Sequence, residues 1–289
     1  MSSEDLLAKI KKLREITGVG FKDCKNAIDE ASGDINKSIE ILRKKGIAKA
    51  NKRMGRVAAE GLIAIYEEKN KFSMIEINSE TDFVAKNNDF IKFAEELSKL
   101  SIHSLGKVEN LLKTKMKNNK IVEENLVSLI SKIGEKITLR RSAYVGKENS
   151  TNFSYIHAPL NKNTGKLGVL LSLETNKKIN EMLVFGKQLS MQIAATAPIS
   201  IDKDSLDPNI INKEKEIITE ELKNSGKDPK IVDKIAMGKL NKFIDENTLL
   251  NQEWIMDTKK KVKDVLKEAA GNDTIKIIEF VRFKVGEGI

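Results

Sequence analysis

The chain has 289 residues, enough for one large domain or two to three smaller ones, with 40% hydrophobic and 32% charged residues around a modest core. Lys+Arg outnumber Asp+Glu by 51 to 42, a net charge of +9. This invites nucleic acid or an acidic protein surface as partner, or is a lysine-biased solvated surface. Aromatic residues at 5% are poor material for base-stacking platforms, and the single cysteine, Cys24, excludes an internal disulfide and suits a reducing cytoplasm. The N-terminal stretch MSSEDLLAKIKKLREITG has early acidic residues and no continuous apolar core, so no secretory signal is expected. Nothing approaches the roughly 18 consecutive apolar residues of a membrane span.

Residues 4–46 read as three short helices. Leu6, Leu7, Ile10 and Leu13 recur at helical spacing up to Thr17-Gly18. Phe21, Cys24, Ala27, Ile28 and Ala31 form a second stripe that Gly33 stops, and Asp34 is a natural N-cap for a third helix carrying Ile35, Ile39 and Leu42. Residues 43–56, RKKGIAKANKRMGR, are basic without a long apolar face and read as a linker, a solvated helix or a phosphate-binding arm. A weak internal repeat follows. Residues 61–77 and 152–174 each read as two strands around a polar turn, and each pair precedes a helix, near Asn87–Asn88 and from Ile179. A strand from Ile137 to Val145 lies between them, and a last strand is expected in 274–286. After Pro198, two amphipathic helices with narrow apolar seams suit an antiparallel hairpin, either projecting or packed on the core. Gly226 would end the first of them, with Asp228 and Pro229 starting the second.

The chemistry of an enzyme is missing. There are two histidines, His103 and His157, no Cys/His cluster at zinc spacing, no nucleophile with a partner base and no phosphate loop. No metal or cofactor is expected, and binding is the favoured class. One stretch asks for a partner. NSETDFVAKNNDF (78–90) joins a strand to a helix and carries Phe83 among carboxylates where a connection should face water. On its own, Phe83 reads as a plug folded back into the core, since it keeps the period of Ile75 and Ile77.

The segments LREITGVGFKDCKNAIDEASGDINKSIEILRKKGIAKA, GRVAAEG, INSETDFVAKN, KIGEKITLRR, YIHA, KLGVL, MQIAATAP and FVRFKVGEGI occur in this order over essentially the whole chain. Together they resemble the bacterial elongation factor Ts family, exchange factors that bind elongation factor Tu in its GDP-bound and nucleotide-free forms. The resemblance implies an α+β fold. A small N-terminal three-helix (UBA-like) domain spans 1–46, with a linker at 47–56. Two small antiparallel-sheet subdomains with packed helices follow at 57–136 and 137–200. A protruding coiled-coil hairpin spans 201–250, and a C-terminal module at 251–289 returns a strand to the core.

The implied site is Thr81, Asp82, Phe83 and Val84, inserted near the magnesium and phosphates of elongation factor Tu. Further contacts implied are Lys25, Ile133, Gly134, His157, Ile255 and Met256. Without the resemblance, Lys25 reads as a solvated helix residue, Ile133, Gly134, Ile255 and Met256 as local packing, and His157 as structural. The implied setting is cytoplasmic, with no membrane and no specific nucleic acid. Self-association, as a homodimer or a two-plus-two complex, is left open. Departures from the family pattern include Phe21-Lys22 for two methionines, Gln192 for a histidine in MHVAA, and Gln252-Glu253-Trp254 for QPF. A basic RNA- or ribosome-binding protein is the alternative function.

Overall fold

The computed structural model describes the fold of residues 3–223 and 229–289, so the expected helix stop at Gly226 and cap at Asp228 lie outside the described residues. The fold is α+β, in two compact units. The first holds residues 1–144, 156–168 and 283–289; the second holds 145–155 and 169–282.

The first unit begins with α1 (Ser3–Thr17), α2 (Phe21–Glu30) and α3 (Ile35–Arg53). Ile10, Leu13, Cys24, Ala27, Ile28 and Leu42 close a small core between them. Asp34 accepts a hydrogen bond from the Lys37 N–H at 3.0 Å, the N-cap its position predicts. Cys24 is a core residue, and burial pushes its thiol pKa up, against reactivity.

α3 runs on through Arg53, across most of the linker expected over 47–56, so of the readings of this stretch the helix is the one seen, packed rather than solvated. Leu42, Gly46 and Ala50 recur every four residues and are buried. A Cβ on Gly46 would stand 2.5 Å from Ser131 Oγ, so the absent side chain lets α3 approach the helix that carries Ser131. A seam of small residues gives little hydrophobic signal, which is why the segment resembles a solvated linker.

Strands β1 (Glu60–Glu68) and β2 (Lys71–Ser79) form an antiparallel hairpin in register from Glu60↔Ser79 to Glu68↔Lys71. Then come α4 (Asp82–Ala85), α5 (Asn88–Ser101), α6 (Val108–Lys113), α7 (Val122–Ile133) and β3 (Ile137–Val145), followed by β4 (Ser150–Asn161) and β5 (Thr164–Thr175), which give residues to both units. The strand order is β3-β2-β1-β5-β4. β3 therefore pairs with β2 and belongs, up to Tyr144, with the first unit rather than opening a second subdomain at 137. With a neighbour on either side, β2 is buried from Phe72 to Ser79, and α5 lies over β1 and β2.

In the second unit, β5 pairs with β8 (Ile275–Lys284), after α8 (Ile179–Thr196), α9 (Pro208–Lys223), α10 (Pro229–Asn247), the short hairpin β6 (Glu253–Trp254) and β7 (Asp257–Lys261), and α11 (Val262–Ala270). Phe185 of α8 stacks on Trp254 at 6.4 Å between ring centroids. Helices α9 and α10 pack on each other, with Lys239 and Glu221 paired at 2.7 Å.

Candidate functional site

The site grows from the end of β2. Ser79 finishes the strand, the chain bends at Glu80 and Thr81, with Thr81 itself extended, and α4 opens at Asp82. Thr81 stands at the N-cap, but its hydroxyl makes no cap bond. It donates instead to Glu135 Oε1 at 2.7 Å, and the Thr81 N–H donates to Glu135 Oε2 at 3.0 Å. One carboxylate thus holds both donors of one residue.

Glu80 makes the reciprocal contact, accepting from the Lys136 N–H at 2.6 Å and from Arg56 Nη1 at 3.2 Å. The Lys136 N–H and the Arg56 guanidinium hold the Glu80 carboxyl below its usual range. Lys136 Nζ then donates to the carbonyls of Met54 at 2.8 Å and Arg56 at 2.7 Å. Three segments, 54–56, 80–81 and 135–136, are lashed together in this way. Gly134 makes the last of them reachable: it ends α7 with φ +91°, a left-handed conformation that turns the chain into Glu135.

On this anchored turn, α4 switches the side-chain period from two to 3.6. Continued strand geometry would place Phe83 on the face of Ile75 and Ile77. The helical turn points it outward, and at 80% exposure it is the most exposed large apolar side chain among the described residues. The core-plug reading of Phe83 is therefore excluded. Val84 goes the other way: it is 7% exposed and packs with Ala85, Ile75 and Ile77 in the core. The expected four-residue contact divides accordingly, with Val84 supporting the turn from beneath. Asp82 pairs with Lys86 at 2.7 Å, one turn later, which holds its carboxyl below the usual range. Asn87 caps α5, its side chain accepting from the Asp89 N–H at 2.9 Å and the Phe90 N–H at 3.4 Å, and so ends the exposed turn.

The other expected residues are distributed. Lys25 is exposed on α2, beside buried Cys24. Ile133 packs partly against the core at the end of α7, and Gly134 caps that helix. His157 is exposed on β4. Ile255 and Met256, 38% and 41% exposed, form the two-residue turn between β6 and β7 in the second unit. The structure thus joins Thr81 to the residue next to Gly134 and leaves Lys25 and His157 on separate elements. Arg56, Glu80, Glu135 and Lys136 escaped the sequence reading. Their one visible signal is that Glu80 and Glu135 each adjoin an expected contact residue.

Among the described residues no cluster of His, Cys, Asp and Glu could hold a metal ion, and no helix is long and apolar enough to cross a membrane. Three of the seven cations of α3 pair with acidic neighbours: Arg43 with Glu124, Lys45 with Glu30, and Lys49 with Asp23.

The family model described as Elongation factor TS matches residues 80–287. Elongation factor Ts of Methylorubrum populi is 41% identical over 285 residues, 98% of this chain and 92% of the relative. That of Clostridium botulinum is 42% identical over 285 residues, covering 97% and 92%, and that of Gluconobacter oxydans is 36% identical over 287 residues, covering 99% and 94%. The family match opens at Glu80, the first residue of the anchored turn, and the relatives align over nearly the whole of this chain; the chain belongs to the elongation factor Ts family.

Proposed function

We propose that this chain is a guanine-nucleotide exchange factor that binds elongation factor Tu carrying GDP, displaces its magnesium ion and promotes GDP release during translation elongation. The observation that carries the reading is an aromatic ring held in water by a turn hydrogen-bonded to two other segments, 54–56 and 135–136. Leaving that ring exposed forgoes roughly 1.5–3 kcal/mol, which burial in a partner recovers. In a P-loop GTPase, Mg²⁺ bridges the phosphates and the protein groups around them. A ring driven between those groups takes them off their coordination positions. Each ~1.4 kcal/mol so transferred weakens nucleotide binding about tenfold. By linkage, GDP and the exchange factor weaken each other's hold on the GTPase equally.

In this reading Phe83 is the wedge, Thr81 and Asp82 flank it, and Val84 braces it. Lys25, Ile133, Gly134, His157, Ile255 and Met256 are further contacts. The three N-terminal helices form the UBA-like module, and α9 with α10 form the coiled-coil hairpin. No covalent bond is made or broken, so the protein is an exchange factor rather than an enzyme. The experiment is to load elongation factor Tu with fluorescent GDP and add this protein in substoichiometric amount. Many-fold faster release is expected, and unchanged release at saturating protein contradicts the reading.

A further inference from the structure

In the second unit one buried side chain holds the backbone of the turn that carries Ile255 and Met256. Gln192, on the inner face of α8, is 0% exposed. A primary amide taken out of water is costly unless its polar atoms are paired. Its oxygen accepts from the Ile255 N–H at 2.8 Å, and its nitrogen donates to the Glu253 carbonyl at 3.1 Å and to Gln252 Oε1 at 3.3 Å. These partners fix which way the amide points, because a backbone N–H only donates and a carbonyl only accepts. Gln252 extends the network. Its oxygen also accepts from Thr196 Oγ1 at 2.7 Å, and its nitrogen donates to the Glu246 carbonyl, in the last turn of α10, at 2.7 Å. The hairpin itself offers little: β6 has two residues, β7 five, and the register shifts between Glu253 and Trp254. So small a hairpin is at best marginally stable alone.

We infer that Gln192 is a positioning residue that sets the backbone of 253–256, so that Ile255 and Met256 meet the partner GTPase already in their bound arrangement. The inference rests on the exchange-factor reading. Ordering a loose turn on binding consumes part of the binding free energy, and a turn ordered beforehand does not. The loss of this residue therefore weakens association while leaving the chemistry of displacement, carried by Phe83, intact. A neutral imidazole offers one acceptor for the Ile255 N–H and one donor for either the Glu253 carbonyl or Gln252 Oε1, so histidine is the conservative replacement.

The test compares the full-length protein with Gln192→Ala and Gln192→His at pH about 8, where an imidazole of ordinary pKa ~6.5 is neutral. Amide hydrogen exchange at Ile255 and GDP release against protein concentration are both measured. Gln192→Ala is expected to speed Ile255 exchange about tenfold or more, and to raise the half-saturating concentration several-fold with the maximal rate within about twofold. Gln192→His is expected to restore both. Unchanged Ile255 exchange overturns the inference. So does a loosened turn with unchanged half-saturation, or a loss of maximal rate accompanied by a fall in melting temperature, which marks a general packing role. If the unsubstituted protein itself fails to speed GDP release, the exchange reading falls and takes the presentation role with it. The Ile255 exchange data still report separately on the clamp.

Discussion

Phe83 and Val84 are adjacent in α4 and face opposite ways, one into water and one into the core. Phe83→Ala should leave the unfolding free energy within about 0.5 kcal/mol of the parent, as an exposed substitution does. Val84→Ala should cost about 1–2 kcal/mol by leaving a cavity. Urea titration of both variants checks this, and a large loss at Phe83 would mean that the ring packs on its own unit. The four letters TDFV carry the site in the sequence, but which of them faces out depends on a strand period yielding to a helical one at Asp82, and that is invisible one residue at a time. Glu76 was not legible at all. Its carboxylate is 0% exposed and meets Arg140 at 3.1 Å, Arg141, Asn78 at 3.0 Å and the Gly286 N–H at 2.9 Å. Burial pushes its pKa up, but the Gly286 N–H, Asn78 and Arg141 together outweigh burial and hold it below the ordinary value. A depressed carboxyl stabilises the fold above the unfolded pKa of ~4.3, and that contribution is lost as pH falls through the folded value. Glu76→Gln should therefore cost roughly 3–5 kcal/mol at pH 7, with the gap to the parent closing in acid. A gap that stays constant from neutral pH into acid would refute the assignment.

At the scale of elements, periodicity announced the helices and strands well. Ile137–Val145 emerges as β3, Asp34 caps α3 and Asn87 caps α5. Two features escaped for physical reasons. The seam Leu42–Gly46–Ala50 is made of close approach rather than apolar bulk. The lashing of 80–81 to 135–136 joins residues more than fifty positions apart through single carboxylates, and no local pattern encodes it. That lashing should be required for exchange. Glu135→Ala frees both donors of Thr81, and the expected outcome is a stability loss of about 1–2 kcal/mol. The maximal rate of GDP release should fall about three- to tenfold as the ring loses its fixed aim. Stopped-flow release at saturating protein measures it; an unaltered maximal rate would show that the wedge needs no rigid mount.

Over the whole molecule, the net charge of +9 suggested nucleic acid, yet three of the seven cations of α3 already have carboxylate partners. RNA binding should accordingly be weak and without a steep dependence on salt. A slope corresponding to about six or more displaced counterions in a filter-binding titration would revive the RNA-binding alternative. The division into two units was only partly legible, because β4 and β5 each contribute to both and sequence order conceals such sharing. The central observation is the exposed Phe83 ring on its hydrogen-bonded turn. The most direct measurement is the rate of GDP release from elongation factor Tu at saturating protein, parent against Phe83→Ala. The Phe83→Ala variant is expected to stay folded and to lose about tenfold or more of the maximal acceleration, the equivalent of ~1.4 kcal/mol of displacement. An unchanged maximal rate with Phe83 removed would contradict it.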